Sequence, residues 1–328
     1  MNKKFLIFGL AIASTFALAS CNDSNNNSNI DNTNTNTNDT TEEEIKQDVS
    51  IIVPAGTPAL GLANYKVAHS EAKFDITNGS DELIAAFGTK SHDVVVAPVN
   101  LGAKFFNTNG NYVLAKTFVW GNLFLASKSD LTSFDDIDGK KLVVFGKNST
   151  PDIITKILIQ EKGLNVEIEY VDAVADANPL LVSGKADYII TAEPAISKIK
   201  DANGIKTIDL QEEYAKLTNT NSYPQAGIFV KKEAKDDKKI KAVVDALVES
   251  VNETKNNPEK SAENAVSIHK SFETLGKAAL VKAIPNCHFN ILNKEDEKKA
   301  VEKYLQYLLD LGFGKQVGDK LPSEEFYL

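Results

Sequence analysis

Short runs of β-branched residues alternate with helix-forming segments from Val49 onward. Helices are predicted after the strands, the first from about Pro58 to His69, and they dominate the chain from Lys238 to Leu311. Such alternation predicts βαβ units and therefore an α/β fold with a parallel sheet. The predicted strands cover residues 49–54, 73–77, 93–98, 140–146, 166–171, 187–191, 206–210 and 226–232.

Residues suited to helix starts follow several of these strands. Ser, Thr and Asn side chains accept a hydrogen bond from an unpaired backbone N–H, and the helix dipole favours anions and polar groups at the same place. Ligands of open α/β sheets bind at the carboxyl ends of the strands, so these junctions are candidate ligand-binding positions. At any single junction, helix capping is an equally good explanation, and only convergence on one cleft would indicate binding. The candidates are Thr57, Pro58, Asn78, Ser80, Asn100, Ser149, Thr150 and Glu193.

Composition limits the chemistry that such a site can use. The chain contains no arginine, the residue that most often holds a carboxylate or phosphate through two parallel hydrogen bonds. A bound anion would have to be held by lysine, hydroxyl or backbone N–H groups. The net charge is −9, and it becomes −11 if Lys3 and Lys4 are removed with the first twenty residues. This acidity argues against nucleic acid as a partner.

Cysteine and histidine usage predicts neither a disulfide framework nor a metal site. Cys287 is the only cysteine besides Cys21, so no intramolecular disulfide is expected to support the fold. The four histidines lack the spacing of metal ligands, and the adjacent Cys287 and His288 should point apart in a strand. No metal or other cofactor is predicted.

The first residues are organised like the signal of an exported lipoprotein. Lys3 and Lys4 precede an apolar run, Phe5–Leu18, that is too short to span a membrane. Leu18-Ala19-Ser20-Cys21 then resembles a lipobox, which implies removal of residues 1–20 and lipidation of Cys21 by palmitate or similar chains. Each buried CH₂ contributes ~0.8 kcal/mol, so two or three chains would hold the protein firmly. An ordinary secretory signal with a chance cysteine is the alternative.

Residues 21–47 are predicted to form a disordered tether behind this anchor. The stretch 22–41 is almost wholly Asn, Thr, Ser and Asp, which offer no apolar surface to offset the entropy of ordering. A coil of this length would hold the folded part roughly 25–30 Å from the bilayer. The expected location is the extracytoplasmic face of the cell membrane.

Four segments, met in order, resemble the type II periplasmic-binding-protein fold. They are NGSDELIAAFGTKSHDVVVAPVNLGAKFF (78–106), DLTSFDDIDGKKLVVFGKNSTPDIITKILIQEKGL (130–164), LLVSGKADYIITAEPAISKI (180–199) and YPQAGIFVKKE (223–233). Within that fold, the chain is most similar to the substrate-binding lipoproteins of ABC importers that bind sulfonates, taurine or thiamine precursors. The resemblance implies two lobes joined by two crossover strands, a ligand between the lobes, a helical C-terminal segment, and hinge closure as the working motion.

The resemblance also implies lobe boundaries and further site residues. Lobe one is expected to comprise residues 48–121 plus 227–328, and lobe two residues 122–226. Trp120 and Asn122 lie at the first predicted crossing, where the ring could stack on a planar ligand or fill the core below the hinge. Tyr223 and Gln225 flank the second crossing and are expected to close over the ligand. By family position, Thr57, Asn100 and Glu193 line the cleft, and Glu193 could accept from an amine.

The function predicted first is capture of a small, planar molecule and its delivery to an ABC permease with its ATPase. The protein is expected to act as a monomer, without enzymatic activity. One alternative is an enzyme of the same fold, like pyrimidine synthases or menaquinone-pathway enzymes; the lipid anchor and the missing nucleophile–base pair argue against it. Another is a ligand-sensing or adhesin lipoprotein that has lost transport.

Overall fold

The computed structural model describes residues 48–328, which form two five-stranded sheets with helices packed on them. The strands are β1 (Ile51–Pro54), β2 (Phe74–Thr77), β3 (Val94–Pro98), β4 (Tyr112–Val119), β5 (Leu123–Ser127), β6 (Lys141–Phe145), β7 (Glu167–Val171), β8 (Tyr188–Ala192), β9 (Lys206–Asp209) and β10 (Ala226–Lys231). All eight predicted strands are present. The strands β4 and β5 were not predicted, because no helix separates them and only Trp120-Gly121-Asn122 lies between their apolar runs.

The helices connect the strands and then form the C-terminal part of the chain. They are α1 (Thr57–Gly61), α2 (Ala63–Ala68), α3 (Asp81–Thr89), α4 (Val99–Asn109), α5 (Thr150–Lys162), α6 (Val174–Val182), α7 (Ala195–Ile199), α8 (Leu210–Thr218), α9 (Lys238–Asn256), α10 (Pro258–Ile268), α11 (Lys270–Leu275), α12 (Lys277–Ala283) and α13 (Lys294–Asp310). The helix predicted over 58–69 is divided into α1 and α2 at Leu62. The prediction of a helical C-terminal segment is confirmed.

The predicted parallel βαβ pairing is present in both sheets, where β1 runs parallel to β2 and β3, and β6 runs parallel to β7 and β8. Each sheet also contains antiparallel pairs, so both are mixed. The first sheet has the order β2-β1-β3-β10-β4 and the second β7-β6-β8-β5-β9. In the first, β10 runs antiparallel to β3 and β4; in the second, β5 runs antiparallel to β8 and β9. Both β5 and β10 enter their sheet from the other sheet. Leu123 therefore pairs with Ala192 at the end of β8, and Ala226 pairs with Pro98 at the end of β3.

Each sheet and its helices form one lobe, and the first lobe is assembled from both ends of the described chain. The chain leaves the first sheet after Val119 and enters the second at Leu123. It returns at Ala226, after α8 and a short connection. The residue-level boundaries given above remain a prediction.

The central strands are buried on both faces. In β1, Ile51 and Val53 belong to one apolar cluster, while Ile52 between them belongs to the cluster on the other face. This two-sided burial is typical of strands covered by helices on both sides, and it explains their unbroken apolar sequence. It also confines polar side chains to the ends of the strands.

No helix within residues 48–328 is long and apolar enough to cross a membrane. The predicted signal peptide (1–20), the predicted lipidation of Cys21 and the predicted tether (21–47) all lie outside the residues that the structure describes.

Candidate functional site

Three segments that are distant in sequence meet at a hydrogen-bonded junction between the lobes. The Thr57 hydroxyl, at the start of α1 in the first lobe, donates to the backbone carbonyl of Glu193 in the second lobe over 2.9 Å. The Asn122 amide, from the first crossing, donates to Thr57 Oγ1 at 2.7 Å and to the Glu193 carbonyl at 3.2 Å. All three side chains are at least nine-tenths buried. The structure thus brings together one residue from each lobe and one from the crossing.

The second crossing adds Gln225 and Tyr223 to this junction. Gln225 Nε2 donates to Asn122 Oδ1, while Gln225 Oε1 is buried without a hydrogen-bond partner among the described residues. The Tyr223 hydroxyl is also buried without a hydrogen-bond partner among residues 48–328. The Tyr223 ring packs edge-on against Tyr214. Burial raises the pKa of Tyr223 well above its usual value. Both side chains therefore place unused polar atoms beside the crossing.

The Glu193 carboxyl group is held by neutral donors only. Ser197 donates its hydroxyl to Glu193 Oε1 at 2.7 Å and its backbone N–H to Oε2 at 3.3 Å. The Asn286 amide of the first lobe reaches Oε1 at 3.3 Å. Burial raises the pKa of Glu193, and these hydrogen bonds only partly oppose the increase. The cis peptide before Pro194 turns the chain here, where β8 ends and α7 begins.

Cys287 also belongs to this junction, although no sequence pattern predicted it as a site residue. Its sulfur lies 3.6 Å from Thr57 Oγ1, and the residue is fully buried. Burial raises the pKa of the Cys287 thiol far above its usual value, and the neighbouring Glu193 adds to the increase. The group is therefore a thiol at neutral pH, and an inert one, because the thiolate is the nucleophilic form.

Cys287 and His288 contact different partners, but they do not lie in the strand that the sequence suggested, because Cys287 has helical backbone angles and His288 has a positive φ of 49°. His288 Nδ1 lies 2.9 Å from the Gly121 carbonyl, and its Nε2 lies 3.7 Å from Asp209 Oδ2. Within residues 48–328, no group of three or more His, Cys, Asp or Glu side chains is arranged to hold a metal ion.

A second, weaker contact joins the lobes through Asn100 and Thr150. The Thr150 hydroxyl donates to Asn100 Oδ1 at 3.4 Å, and the Asn100 amide donates to the Gln316 carbonyl at 3.4 Å. Ser149, next to Thr150, instead turns its hydroxyl to the carbonyl of Gly146 in its own loop. Pro58 is half-buried. It is the second residue of α1, within the first turn, where proline is tolerated.

The other predicted residues occupy less direct positions. The Trp120 ring is 5 % exposed and donates from Nε1 to the Asn290 carbonyl at 3.0 Å, so in this conformation it is packed beneath the crossing. Asn78 and Ser80 are exposed and lie outside the junction, and Ser80 makes no side-chain capping bond to α3. The ligand-binding role of every residue proposed from sequence remains a prediction.

Two surface cavities lie away from this junction. One, of about 340 Å³, is in the second lobe beside Val143 and Lys185; the other, of about 310 Å³, is in the first lobe beside Ala115 and Ile240. Neither is lined by a residue that the sequence predicted as a site residue.

Sequence comparison identifies one family. Residues 108–310 match the family described as "Menaquinone biosynthesis". The match runs from the end of α4 to α13 and so includes the whole second sheet and both crossings. No curated protein sequence matches the chain.

Structural comparison finds binding proteins of ABC transporters. An ABC transporter structure from Parabacteroides distasonis has a TM-score of 0.70 and 21% identity, over 85% of this chain and 98% of that one. The aliphatic sulphonate binding protein SsuA of Escherichia coli has a TM-score of 0.65 and 15% identity, over 85% and 91%. The alkanesulfonate-binding protein SsuA of Xanthomonas axonopodis pv. citri, bound to MOPS, has 0.60 and 14%, over 84% and 95%. These likenesses confirm the predicted periplasmic-binding-protein fold.

Proposed function

Since the chain belongs to the family described as "Menaquinone biosynthesis", whose match includes the second lobe and both crossings, we propose that it captures a small organic molecule between its two lobes. The observation that carries this proposal is the junction of Thr57, Asn122 and Glu193, which links the lobes through polar side chains at the carboxyl ends of β1 and β8. Ligands of open α/β sheets bind at this edge. A molecule held there would contact both lobes and favour the closed arrangement.

Binding without chemical conversion is the better-supported form of this function. The one cysteine at the junction, Cys287, is a buried thiol with a raised pKa, and the hydroxyl of Thr57 faces a backbone carbonyl rather than a base. A nucleophile would need an adjacent general base. The family match is the observation that favours an enzyme, and turnover of a bound compound would establish that alternative.

We also propose that the ligand is delivered to an ABC permease and its ATPase, with the protein acting as a monomer. The support is the shared fold with ABC-transporter binding proteins. The planar shape of the ligand rests on Trp120, whose ring would have to become accessible when the lobes separate.

A ligand screen tests the proposed binding. We expect that at least one vitamin, vitamin precursor, amine or sulfonate in a panel raises the midpoint of thermal unfolding, because a ligand at a hundred times its Kd stabilises by about 2.7 kcal/mol. Trp120, the only tryptophan, lies at the crossing and should report closure through its fluorescence. A panel in which no compound changes either signal would refute capture between the lobes.

Lipid anchoring through Cys21 is proposed from the lipobox resemblance and is tested in the native host. Replacing Cys21→Ser removes the only thiol that could carry the lipid at this position, so we expect the protein to leave the membrane fraction. Mass spectrometry of the N-terminal peptide should show acyl chains on the natural protein alone. Ser24→Ala, three residues away, serves as the control and should leave the distribution unchanged. A Cys21→Ser protein that still fractionates with the membrane would rule out this anchor.

A further inference from the structure

We propose that the Glu193 carboxylate recognises the ligand, and that the ligand therefore carries a cationic nitrogen, such as an amine, an amidine or a charged ring nitrogen. This inference rests on the proposed capture of a molecule between the lobes and specifies the chemistry of that molecule.

The Glu193 carboxyl group is buried without a cation bonded to it. Its residue is 5 % exposed, and its three hydrogen-bond donors, two from Ser197 and one from Asn286, are all neutral. Among residues 48–328, no ion pair within 4 Å includes Glu193. A buried carboxylate is costly unless it is paired, since water no longer solvates it. A ligand that brings a positive charge to Glu193 would remove this cost.

The nearby lysines bind other partners. The charge of Lys200 favours ionisation of Glu193, but its ammonium group donates to Thr207 at 2.8 Å. Lys198 donates to the Thr274 carbonyl, and Lys282 pairs with Asp201 at 2.6 Å. These contacts hold the cationic ends of the side chains on other partners.

The other polar side chains of the junction are uncharged. Thr57, Asn122, Gln225 and Asn286 contribute hydroxyl and amide groups, which carry no net charge. The ionisable residues His288 and Asp209 face each other, with His288 Nε2 3.7 Å from Asp209 Oδ2, and His288 Nδ1 lies 2.9 Å from the Gly121 carbonyl. The charge that a ligand meets at the carboxyl ends of β1 and β8 is therefore that of Glu193.

This chemistry differs from that of the sulfonate-binding proteins that share the fold. A sulfonate would approach an acidic side chain in a chain that has no arginine to neutralise it. The negative charges of the sulfonate and of the Glu193 carboxylate would repel each other and oppose binding. The inference therefore predicts that alkanesulfonates are rejected, although the backbone resembles that of their receptors.

A purely structural role for Glu193 makes the opposite prediction for stability. The Glu193 carboxyl group accepts a hydrogen bond from the Ser197 N–H. If Glu193 serves only to make that bond, replacing it should destabilise the protein. A ligand-binding carboxylate, in contrast, costs stability when no ligand is bound. Because the folded pKa of Glu193 is raised, its contribution is fully present below the unfolded pKa of about 4.3 and is lost as the pH rises through the folded pKa.

The Glu193→Gln variant separates these two roles in the ligand-free protein. We expect its thermal midpoint to match that of the natural protein near pH 4 and to exceed it at neutral pH, where the natural protein holds a buried charge. Glu249→Gln removes the same charge from an exposed position on α9 and should show no such divergence. A Glu193→Gln variant that is less stable at neutral pH would assign the residue to structure and overturn the proposal.

Three probes of nearly equal shape test the charge of the ligand on the full chain in detergent. Benzamidine is cationic, benzamide neutral and benzoate anionic. We expect the largest thermal shift from benzamidine, and a loss of affinity for it of roughly tenfold to a hundredfold in Glu193→Gln but not in Glu249→Gln.

The outcomes distinguish this inference from the function on which it rests. Preference for benzoate, equal affinity in Glu193→Gln, or no response to any probe while other compounds of the panel bind would each overturn the role of Glu193 and leave ligand capture intact. A complete absence of binding by every compound would refute the capture itself.

Discussion

Replacing Glu297→Ala is expected to lower the free energy of unfolding by about 3–5 kcal/mol, the cost of breaking a buried ion pair. Glu297 lies on α13 and is 5 % exposed. One carboxylate oxygen accepts the backbone N–H of Thr117, and the other lies 3.1 Å from the Lys116 ammonium group. Glu297 thereby provides a hydrogen-bond acceptor for a backbone N–H of the edge strand β4, just before the chain crosses to the second lobe.

The expected loss of stability comes from the buried groups that lose their hydrogen-bond or ion-pair partner, and not from a strongly favourable ion pair in the natural protein. Burial raises the pKa of Glu297, while Lys116 and Thr117 oppose this shift only in part. The ionised pair is thus no strong source of stability by itself. Its removal, however, leaves the Thr117 N–H and most of the Lys116 side chain buried without their partner, which is expensive.

Two further variants and denaturant titration check this explanation. Glu297→Gln keeps an acceptor for the Thr117 N–H and should cost much less than alanine. Glu295→Ala, on the same helix, breaks an exposed pair with Lys299 and should cost no more than about 0.5 kcal/mol. Equal losses for Glu297→Ala and Glu295→Ala would show that burial of the carboxylate is irrelevant.

Replacing Gly102→Ala is expected to destabilise the protein by about 1–3 kcal/mol or more, as overpacking does in a filled core. Gly102 is buried on α4, and a methyl group on it would overlap the ring of Phe229 from β10. That ring cannot retreat easily, because Phe87 packs edge-on against it at 5.6 Å. The close approach of helix and sheet therefore depends on the missing side chain.

Gly88→Ala is the matched control, with an effect of opposite sign. Gly88 is exposed on α3, and nothing lies within 4 Å of an added methyl group. Alanine is the better helix former there, so we expect a gain of about 0.5–1 kcal/mol. Both free energies of unfolding can be measured by denaturant titration. A stabilising Gly102→Ala would contradict the close packing of α4 on β10.

Local sequence patterns predicted most elements of the fold but not the direction of every strand. A strand such as β3 is visible because Val94–Pro98 is an apolar, β-branched run with helical segments on both sides. The direction of β10 has no such signal. The chain comes back from the second lobe and enters the first sheet beside the carboxyl end of β3, where Ala226 pairs with Pro98. β10 must therefore run antiparallel to β3.

The candidate site shows the same division. Thr57 and Glu193 were predicted because they follow strands, whose carboxyl ends meet at one edge of a sheet, and Asn122 because the family resemblance placed it at the first crossing; the structure brings the three together. Cys287 and Asn286 were missed, because their sequence neighbourhood contains no motif and only the packing of α12 against the second lobe brings them there. Trp120 was recognised as lying at a crossing, but its bond to Asn290 was not foreseeable.

The sequence by itself determined the order of strands and helices, the resemblance to a two-lobed binding fold, the absence of arginine and the positions of the polar strand ends. These depend on neighbouring residues, whose periodicity and chemistry are read along the chain. Only the tertiary structure decided which of those strand ends touch. Thr57 bonds to a carbonyl 136 positions away and lies beside a thiol 230 positions away, and no local pattern encodes contacts at such separations. The burial of the Glu193 carboxyl group among neutral donors, with no ion pair to a lysine of residues 48–328, is a property of that three-dimensional arrangement.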